Sequence, residues 1–318
     1  MYHRVNDLLF DPFELAVSPD NFDQQLQVLK TNYKVVPVNE LVDRLQKKML
    51  APNSVCITFD DGYADNYTQA KPLLEKHGCP ATFYIASGFA ESTCLFWWDE
   101  LQYILLNTPR FPSSLSLRIN GALFAYQLEN DGRLTPEDWL RQRTWVFADP
   151  PPTQRCGLYV SLWKQLKPLA HREQQAVLAQ LKAWAGLNEV FGAESLSMTE
   201  HQLQEMSNHP LFDIGVHTNT HPALSLLTHV GQFREIFECK QYLEEKHHKK
   251  MQTISYPYGD YNAATLEIVK RQNLRGAFTT DERVVTKRTN PVGMGRFQVK
   301  NWTGSEFQQR LHQWFKGR

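Results

Sequence analysis

The sequence predicts an α/β fold built on a mainly parallel sheet. Short apolar runs, such as residues 55–59 and 211–216, alternate with stretches in which apolar residues recur at helical spacing. About seven or eight such strands alternate with helices, a pattern typical of parallel strands joined by right-handed crossovers. The alternation alone leaves open whether the sheet closes on itself.

Local signals set the limits of the elements. Ser18 and Pro19 are typical of the N-cap and first position of a helix. Asn120-Gly121 is a strong signal for the turn of a β-hairpin over residues 115–128. Helices are predicted near residues 19–32, 39–48, 65–77, 99–106, 136–147, 158–184, 199–208, 232–247, 263–272 and 305–315. Strands are predicted near residues 1–5, 33–38, 55–59, 81–86, 211–216, 253–256, 276–279 and 292–299.

The alternation is interrupted between about residues 92 and 197, where the aromatic patch Phe96-Trp97-Trp98 and several helical stretches occur. We interpret this block as a mostly helical insertion between two strands of the parent sheet. The whole chain, residues 1–318, is then a single domain that carries an insertion.

The composition is that of an ordinary globular protein, with 42% hydrophobic and 21% charged residues. The 34 basic residues balance the 34 acidic ones, so no overall field favours nucleic acid or an anionic membrane. No stretch approaches the roughly 18 apolar residues of a membrane span, and the N-terminus lacks the pattern of an export signal. We expect a cytoplasmic protein with no nucleic-acid partner and no membrane span. The sequence indicates no oligomeric state.

The five cysteines are widely spaced and contain no Cys-x-x-Cys pair. This pattern argues against a disulfide framework and against a thiolate metal site, and it favours a reduced, cytosolic setting.

Two acidic residues directly follow the predicted strand at residues 55–59. In Asp60-Asp61-Gly62 the glycine turn presents both carboxylates at the end of the strand, where α/β folds usually keep their chemistry. Adjacent carboxylates resist ionising together, so a nearby cation is an effective way to keep both charged. A solvated turn is the simpler interpretation of this motif by itself.

Two histidines four residues apart, His217 and His221, follow the predicted strand at residues 211–216. On a helical turn such residues share one face, so both imidazoles could bind one ion. With a strand-end Asp they would supply three ligands and leave a position open for water, which is typical of a catalytic metal site. Zn²⁺ is the default ion, and the same ligands also suit non-haem Fe(II).

A third motif, Ser255-Tyr256-Pro257-Tyr258-Gly259, follows another predicted strand. Proline and glycine allow a bend that could aim a backbone N–H at a developing oxyanion. The alternative is a simple turn with surface tyrosines.

Together these motifs resemble those of the polysaccharide deacetylases of carbohydrate esterase family 4. The motif Thr-Phe-Asp-Asp-Gly is complete at residues 58–62, and His-Ser/Thr-x-x-His-Pro is complete at residues 217–222. The third motif, Arg-x-Pro-Tyr/Phe, has Ser255 in place of the arginine. The resemblance covers roughly residues 1–90 and 198–300. It implies a distorted (β/α)7-type barrel with a mostly helical insertion.

The resemblance implies a metal-dependent hydrolase that removes N-acetyl groups from a saccharide or polysaccharide precursor. It implies Asp60 as the general base, and Asp61, His217 and His221 as ligands of a divalent metal. Zn²⁺ is the first expectation, with Fe, Co, Ni or Mn as alternatives. The backbone N–H of Tyr258 would stabilise the oxyanion.

Two departures from the family pattern affect the catalytic residues. The late Leu-x-His that supplies the general acid has no counterpart. The chain begins with Tyr-His like an exopolysaccharide-type subgroup, which implies His3 as the replacement acid; an ordinary strand-end histidine is the alternative. We expect Arg296, with Asp281, to orient Asp60 in place of the missing arginine.

Several alternatives remain open from the sequence. Trp97 and Trp98 are expected in the core, but if exposed near the metal they could stack against a sugar ring. The same fold could hydrolyse cyclic imides or other non-sugar amides. A non-catalytic carbohydrate-binding relative is a further alternative, against which the intact Asp and His motifs argue. An Fe(II) oxygenase is disfavoured, because that chemistry usually occurs on an all-β scaffold.

Overall fold

The computed structural model describes residues 1–90, 94–129, 132–189 and 192–316. Its helices are α1 (Pro19–Asn32), α2 (Val38–Gln46), α3 (Lys71–His77), α4 (Trp97–Gln102), α5 (Pro136–Arg143), α6 (Gln154–Leu166), α7 (His171–Ala185), α8 (Glu200–Asn208), α9 (His229–His247), α10 (Ala263–Arg271) and α11 (Gly304–Lys316). Its strands are β1 (Arg4–Val5), β2 (Ala16–Val17), β3 (Lys34–Val35), β4 (Ser54–Val55), β5 (Ile57–Phe59), β6 (Ala81–Ile85), β7 (Ser114–Ile119), β8 (Ala122–Gln127), β9 (Phe212–Val216), β10 (Thr253–Ser255) and β11 (Gly276–Phe278).

The described residues fall into two compact units. The first comprises Met1–Asp7, Leu15–Thr93 and Ser197–Arg318, and the second comprises Leu8–Glu14 and Cys94–Leu196. The second unit corresponds closely to the predicted insertion, with a short N-terminal segment added. The predicted start of the insertion, near residue 92, lies outside the described residues. The prediction of one domain spanning the chain stays a prediction.

A parallel sheet of five strands forms the centre of the first unit. The strand order is β11, β10, β9, β6, β5, and all four pairings are parallel. The sheet continues at both edges: Tyr2 pairs with Phe59 beside β5, and Met294 pairs with Phe278 beside β11. The α/β prediction is therefore confirmed.

The two edge segments also meet each other. Val299 N donates to the carbonyl oxygen of Met1 at 2.9 Å, and the N-terminal amine of Met1 donates to the carbonyl oxygen of Phe297 at 2.9 Å. Five strands and two edge segments thus form a distorted ring, as the predicted (β/α)7-type barrel requires. The predicted strand at residues 292–299 is present only as this extended segment, since regular pairing there is limited to the bridge at Met294.

Aromatic side chains fix the relative positions of the central strands. Phe83 of β6 is fully buried and stacks on Phe59 of β5 with ring centroids 4.8 Å apart. Its other neighbour, Phe212 of β9, packs edge-on at 5.6 Å. Every residue of β6 is buried, as expected for a parallel strand covered on both faces. The carboxyl ends of β5 and β9 are therefore held in a fixed relation to each other.

Local signals placed several helix ends correctly. The Ser18 side chain accepts a hydrogen bond from Asn21 N at the start of α1, and Gly78 ends α3 with φ of 62°. Other limits were wrong. The predicted helix at 158–184 is two helices, α6 and α7, and the predicted helix at 65–77 opens with a wider turn over Asn66–Ala70.

In its described residues the second unit contains the predicted hairpin and the helices α4, α5, α6 and α7. Strands β7 and β8 pair in antiparallel fashion around Asn120-Gly121, as the sequence predicts. Trp97 is fully buried and Trp98 is 7% exposed, so both belong to the core and neither is a surface platform for a sugar. Among the described residues, no helix combines the length and apolar character needed to cross a membrane.

Candidate active site

The predicted site residues converge at the carboxyl ends of the parallel strands. Asp60 and Asp61 follow β5, His217 follows β9, and the turn at Pro257–Gly259 follows β10. This is the edge of the sheet at which α/β proteins usually bind their ligands.

A left-handed turn separates the two carboxylates. Asp61 has φ of 73° and Gly62 has φ of 87°, and Gly62 N donates to the carbonyl oxygen of Asp60 at 2.9 Å. The φ of Gly62 lies in the region that L side chains rarely adopt, and a Cβ atom there would also lie 2.9 Å from Cδ1 of Ile85, so this position favours glycine. Asp60 and Asp61 are each only 3% exposed, and they face different partners.

Asp61, His217 and His221 form a buried cluster. Asp61 Oδ1 lies 3.2 Å from Nε2 of His217 and 3.3 Å from Nε2 of His221. One ligand atom from each of the three residues can be chosen so that all lie within 4.8 Å of one another. The three residues predicted as metal ligands are therefore close enough to hold a single ion.

The histidines reach this cluster through a turn rather than a helix. The predicted helical turn is wrong: residues 217–222 are not helical, and Thr218 and His221 have φ of 66° and 57°. His221 N donates to Oγ1 of Thr218 at 3.1 Å. Two left-handed residues redirect the chain, so that both imidazoles face Asp61.

Glu235 of α9 holds this loop. Its Oε2 accepts hydrogen bonds from the backbone N–H of Asn219 at 2.9 Å and of Thr220 at 2.8 Å. Its Oε1 accepts from the Thr220 hydroxyl at 2.7 Å. This role could not be predicted, since nothing in the sequence around Glu235 links it to a loop 15 residues earlier.

The cluster has the chemistry of a cation site. His217 Nδ1 lies 2.8 Å from the carbonyl oxygen of Ser255, which can only accept, so Nδ1 is the donor. In the neutral imidazole, Nε2 then turns a lone pair toward Asp61. Within the described residues Asp61 Oδ1 makes no hydrogen bond of normal geometry. A lone pair facing a buried carboxylate oxygen is stabilised by a cation between them.

The pKa values of the cluster show that its carboxylates favour nearby positive charge. Burial raises the pKa of Asp61, but His217 and His221 outweigh burial and hold it well below its ordinary value. Burial lowers the pKa of His217, but the carboxylates of Asp60 and Asp61 outweigh burial and raise it. At His221 burial prevails and lowers the pKa. The carboxylates therefore attract positive charge to a place where imidazole nitrogens can coordinate it.

Asp60 has a different partner, the guanidinium of Arg296. Nη1 donates to Oδ1 at 2.8 Å and Nη2 to Oδ2 at 2.6 Å. The Ser255 hydroxyl accepts from Nη2 at 2.7 Å and donates to Asp60 Oδ2 at 2.9 Å. Burial raises the pKa of Asp60, but Arg296 and His217 outweigh it and hold the pKa far below its ordinary value. Asp60 is therefore ionised at neutral pH.

Arg296 pairs with Asp60, as expected in the absence of the motif arginine, but the contact of Asp281 with Arg296 is through the backbone. Arg296 N donates to the carbonyl oxygen of Asp281 at 2.9 Å, whereas the Asp281 carboxylate is exposed and pairs with Arg283 at 2.8 Å. Ser255 stands where the motif has arginine, and its hydrogen bond to Asp60 was not predicted from the sequence.

His3 and Tyr258 complete the set of predicted residues. Desolvation lowers the pKa of the half-buried His3 imidazole, although the negative charges of Asp61 and Asp60 act in the opposite direction. His3 Nδ1 has no hydrogen-bond partner in the described part of the chain. Tyr258 has φ of 59°, and its ring packs edge-on against His221 at 4.7 Å.

The turn that carries Tyr258 is held by a close backbone approach. Gly259 has φ of 69°, and a Cβ atom there would lie 2.6 Å from the backbone N of Thr280. The Thr280 hydroxyl donates to the carbonyl oxygen of Tyr258 at 3.1 Å. The position of Tyr258 beside the cluster therefore depends on glycine at the next residue.

Fold and site together define an α/β protein with a buried acid–base centre at the carboxyl edge of its sheet. A sequence model of the family described as polysaccharide deacetylase matches residues 47–107 and 161–277, which is more than half of the chain. The chain belongs to the polysaccharide deacetylase family, and the family recognised from the motifs is confirmed.

Curated relatives agree with this assignment. The chain is 30% identical over 310 residues to YxkH of Bacillus subtilis (strain 168), a protein named as a candidate polysaccharide deacetylase, with 96% of this chain and 73% of YxkH covered. It is 23% identical over 125 residues to the poly-β-1,6-N-acetyl-D-glucosamine N-deacetylase of Staphylococcus aureus (strain MSSA476). That match covers 37% of this chain and 42% of the relative. The relatives support a deacetylase.

Solved structures share the fold. The Streptococcus pyogenes deacetylase PplD, in complex with acetate, superposes with a TM-score of 0.61 at 20% identity, covering 97% of this chain and 95% of PplD. IcaB from Ammonifex degensii superposes with a TM-score of 0.58 at 18% identity, covering 99% and 94%. At these identities the likeness establishes the fold.

Removing one member of the cluster should weaken metal binding. Asp61→Asn removes the negative charge and His221→Ala removes a nitrogen ligand, so we expect each to lower affinity for a divalent ion at least about tenfold. Chelator competition and elemental analysis of the purified proteins measure this. His201→Ala is the control, since its side chain is 81% exposed. Undiminished binding in both cluster variants would show that the ion is held elsewhere.

Proposed function

We propose that the protein is a metal-dependent hydrolase that removes N-acetyl groups from a saccharide or polysaccharide precursor and releases acetate and a free amine. The observation that carries the proposal is that the two adjacent carboxylates have different partners. Asp61 faces His217 and His221, while Asp60 is held in a two-point ion pair by Arg296. The name of the S. aureus relative supports an N-acetylated saccharide as substrate.

Asp61, His217 and His221 would hold the divalent ion, with Zn²⁺ as the first candidate and Fe, Co, Ni or Mn as alternatives. Such an ion, when bound, polarises the acetyl carbonyl and lowers the pKa of water. The donor set fits it, because one carboxylate and two imidazoles are typical ligands of catalytic metals and leave a position open. Glu235 would keep the two histidines in place through its bonds to Asn219 and Thr220.

Asp60 would act as the general base. It is ionised, and Arg296 with Ser255 fixes the plane of its carboxylate. A base must lie within hydrogen-bond reach of the proton that it removes, and the neighbouring cluster would position water there. Once Asp60 has taken the proton it is neutral, so the electrostatic repulsion between Asp60 and Asp61 is removed.

His3 would supply the proton that the leaving amine needs, and Tyr258 would aim its backbone N–H at the oxyanion. The carboxylates of Asp61 and Asp60 both favour the protonated form of His3, which partly offsets the effect of burial on its pKa. An amine leaves poorly without a proton, so an acid on the side of the leaving group is chemically required.

Loss of the base should abolish deacetylation. Asp60→Asn should lower kcat for acetate release from N-acetylglucosamine oligomers by about 10²-fold to 10⁴-fold, because the amide cannot accept the proton. A coupled acetate assay measures this. Asp281→Asn is the matched control, an exposed carboxylate paired with Arg283. Failure of the metal-loaded wild-type protein to release acetate from any acetylated glycan would refute the proposal.

Removing the charge of Arg296 should shift the pH dependence. Without the guanidinium, the effect of burial raises the pKa of Asp60. A base works only when ionised, so activity is lost as pH falls through its pKa. The acid limb of kcat/KM in Arg296→Gln should therefore move to higher pH by roughly one unit or more. Arg283→Gln, which changes an exposed arginine, should leave the acid limb in place. If the acid limb of Arg296→Gln does not move, Arg296 does not set the pKa of the catalytic base.

The role of His3 can be tested with two leaving groups. His3→Ala should lower the rate on an N-acetyl sugar by roughly 10²-fold, because the amine departs only when protonated. Hydrolysis of p-nitrophenyl acetate should change little, because nitrophenolate leaves without a proton. Asp60→Asn should impair both reactions. An equal loss on both substrates in His3→Ala would contradict an acid role.

A further inference from the structure

A cavity of about 430 Å³ lies in the first unit, away from the metal cluster. This volume is within the roughly 300–1,000 Å³ typical of small-molecule sites. Of the proposed catalytic residues, only Arg296 lines it. The cavity also contacts Thr58 and the residues that precede it on β4 and β5, so it lies toward the amino ends of these strands. None of Asp60, Asp61, His217 and His221 lines it, so it is distinct from the candidate active site.

The deep walls of the cavity are apolar. Its lining residues with at most 3% exposure include the apolar residues Leu29, Ile57, Phe278, Phe307 and Leu311. They come from α1, β5, β11 and α11, and form a pocket that attracts hydrocarbon and disfavours hydrated solutes.

The guanidinium of Arg296 does not make the inner end an anion site. An arginine has five N–H donors. Nε donates to the carbonyl oxygen of Thr279 at 3.2 Å, and Nη1 donates to Oγ1 of Thr58 at 3.2 Å. The other three donors are used by Asp60, which takes two, and by Ser255. A ligand at the inner end therefore meets an arginine whose hydrogen-bonding capacity is already filled.

The mouth of the cavity is positively charged. Its exposed lining residues are Pro52, Arg283, Thr286 and Lys287. Every charged residue that lines the cavity is cationic. Arg44 and Arg283 are paired with Glu40 and Asp281, each at 2.8 Å.

Lys287 differs from the other cations at the cavity. It makes no ion pair within the described residues. One uncompensated positive charge thus stands at the entrance of an apolar pocket.

We propose that this cavity binds a single-chain aliphatic carboxylate, a fatty acid, with its tail directed inward and its carboxylate at Lys287. If each carbon group takes about the ~30 Å³ of a water molecule, 430 Å³ holds roughly a dozen of them. One free positive charge matches one monoanionic head, and a volume of this size holds one chain rather than two. The proposal does not rest on the deacetylase activity.

The first test is the dependence of affinity on chain length. Octanoate, decanoate, dodecanoate and tetradecanoate, each below its micellar concentration, are titrated calorimetrically into Asp61→Asn protein with EDTA present. These conditions prevent the carboxylate from binding a metal at the other site. We expect one ligand per chain and an affinity that rises about fourfold per methylene group, then levels off near a dozen carbons. Absence of saturable binding by all four acids would overturn the proposal.

The second test locates the ligand. Val285→Trp, at a half-buried lining residue, fills the cavity and should abolish binding of dodecanoate. Lys287→Glu should weaken dodecanoate at least about fivefold and leave neutral dodecanol unchanged. Arg288→Glu is the matched control, an exposed neighbour that does not line the cavity. Unchanged dodecanoate binding in Lys287→Glu, or equal losses in Lys287→Glu and Arg288→Glu, would overturn the proposal even if Val285→Trp fails to fold.

Discussion

The ion pair between Asp60 and Arg296 is the interaction on which the site depends. It joins residues 236 positions apart and is almost completely buried. Burying two charges is costly unless every donor and acceptor is satisfied, and here Thr58, Ser255 and Thr279 complete the set around the guanidinium. The pair also explains why the ring of strands must close. Only when the last extended segment lies beside β11 and the first residues of the chain can Arg296 reach Asp60.

Strained backbone surrounds this pair. Asp61, Thr218, His221 and Tyr258 all have positive φ, which costs free energy at non-glycine residues. Such conformations persist only when the surroundings enforce them. Glu235 enforces the loop between the histidines, and the packing of Gly259 against Thr280 enforces the turn at Tyr258. The contacts that hold the backbone in these strained conformations also direct the side chains of Asp61, His221 and Tyr258 toward the candidate active site.

Much of this arrangement could be predicted from the sequence. The alternation of strands and helices predicted the α/β fold, and the motifs at Asp60-Asp61 and His217–His221 predicted that Asp61 and the two histidines lie together. The helical turn between the histidines was wrong because spacing alone carries no information about φ. Ser255 and Glu235 were missed because their roles are long-range contacts, which exist only after the strands are assembled. Arg296 could be proposed because the motif lacked a cation that the chemistry of Asp60 requires.

The distance along the chain between Asp60 and Arg296 has a consequence for folding. Here the acid precedes its counter-ion by 236 residues, so a growing chain must leave Asp60 in water or bury it unpaired until Arg296 has been made. Losing one partner of a buried pair costs about 3–5 kcal/mol. The barrel is therefore expected to reach its full stability only when synthesis has passed residue 296, so the segment around Arg296 both closes the ring of strands and neutralises Asp60.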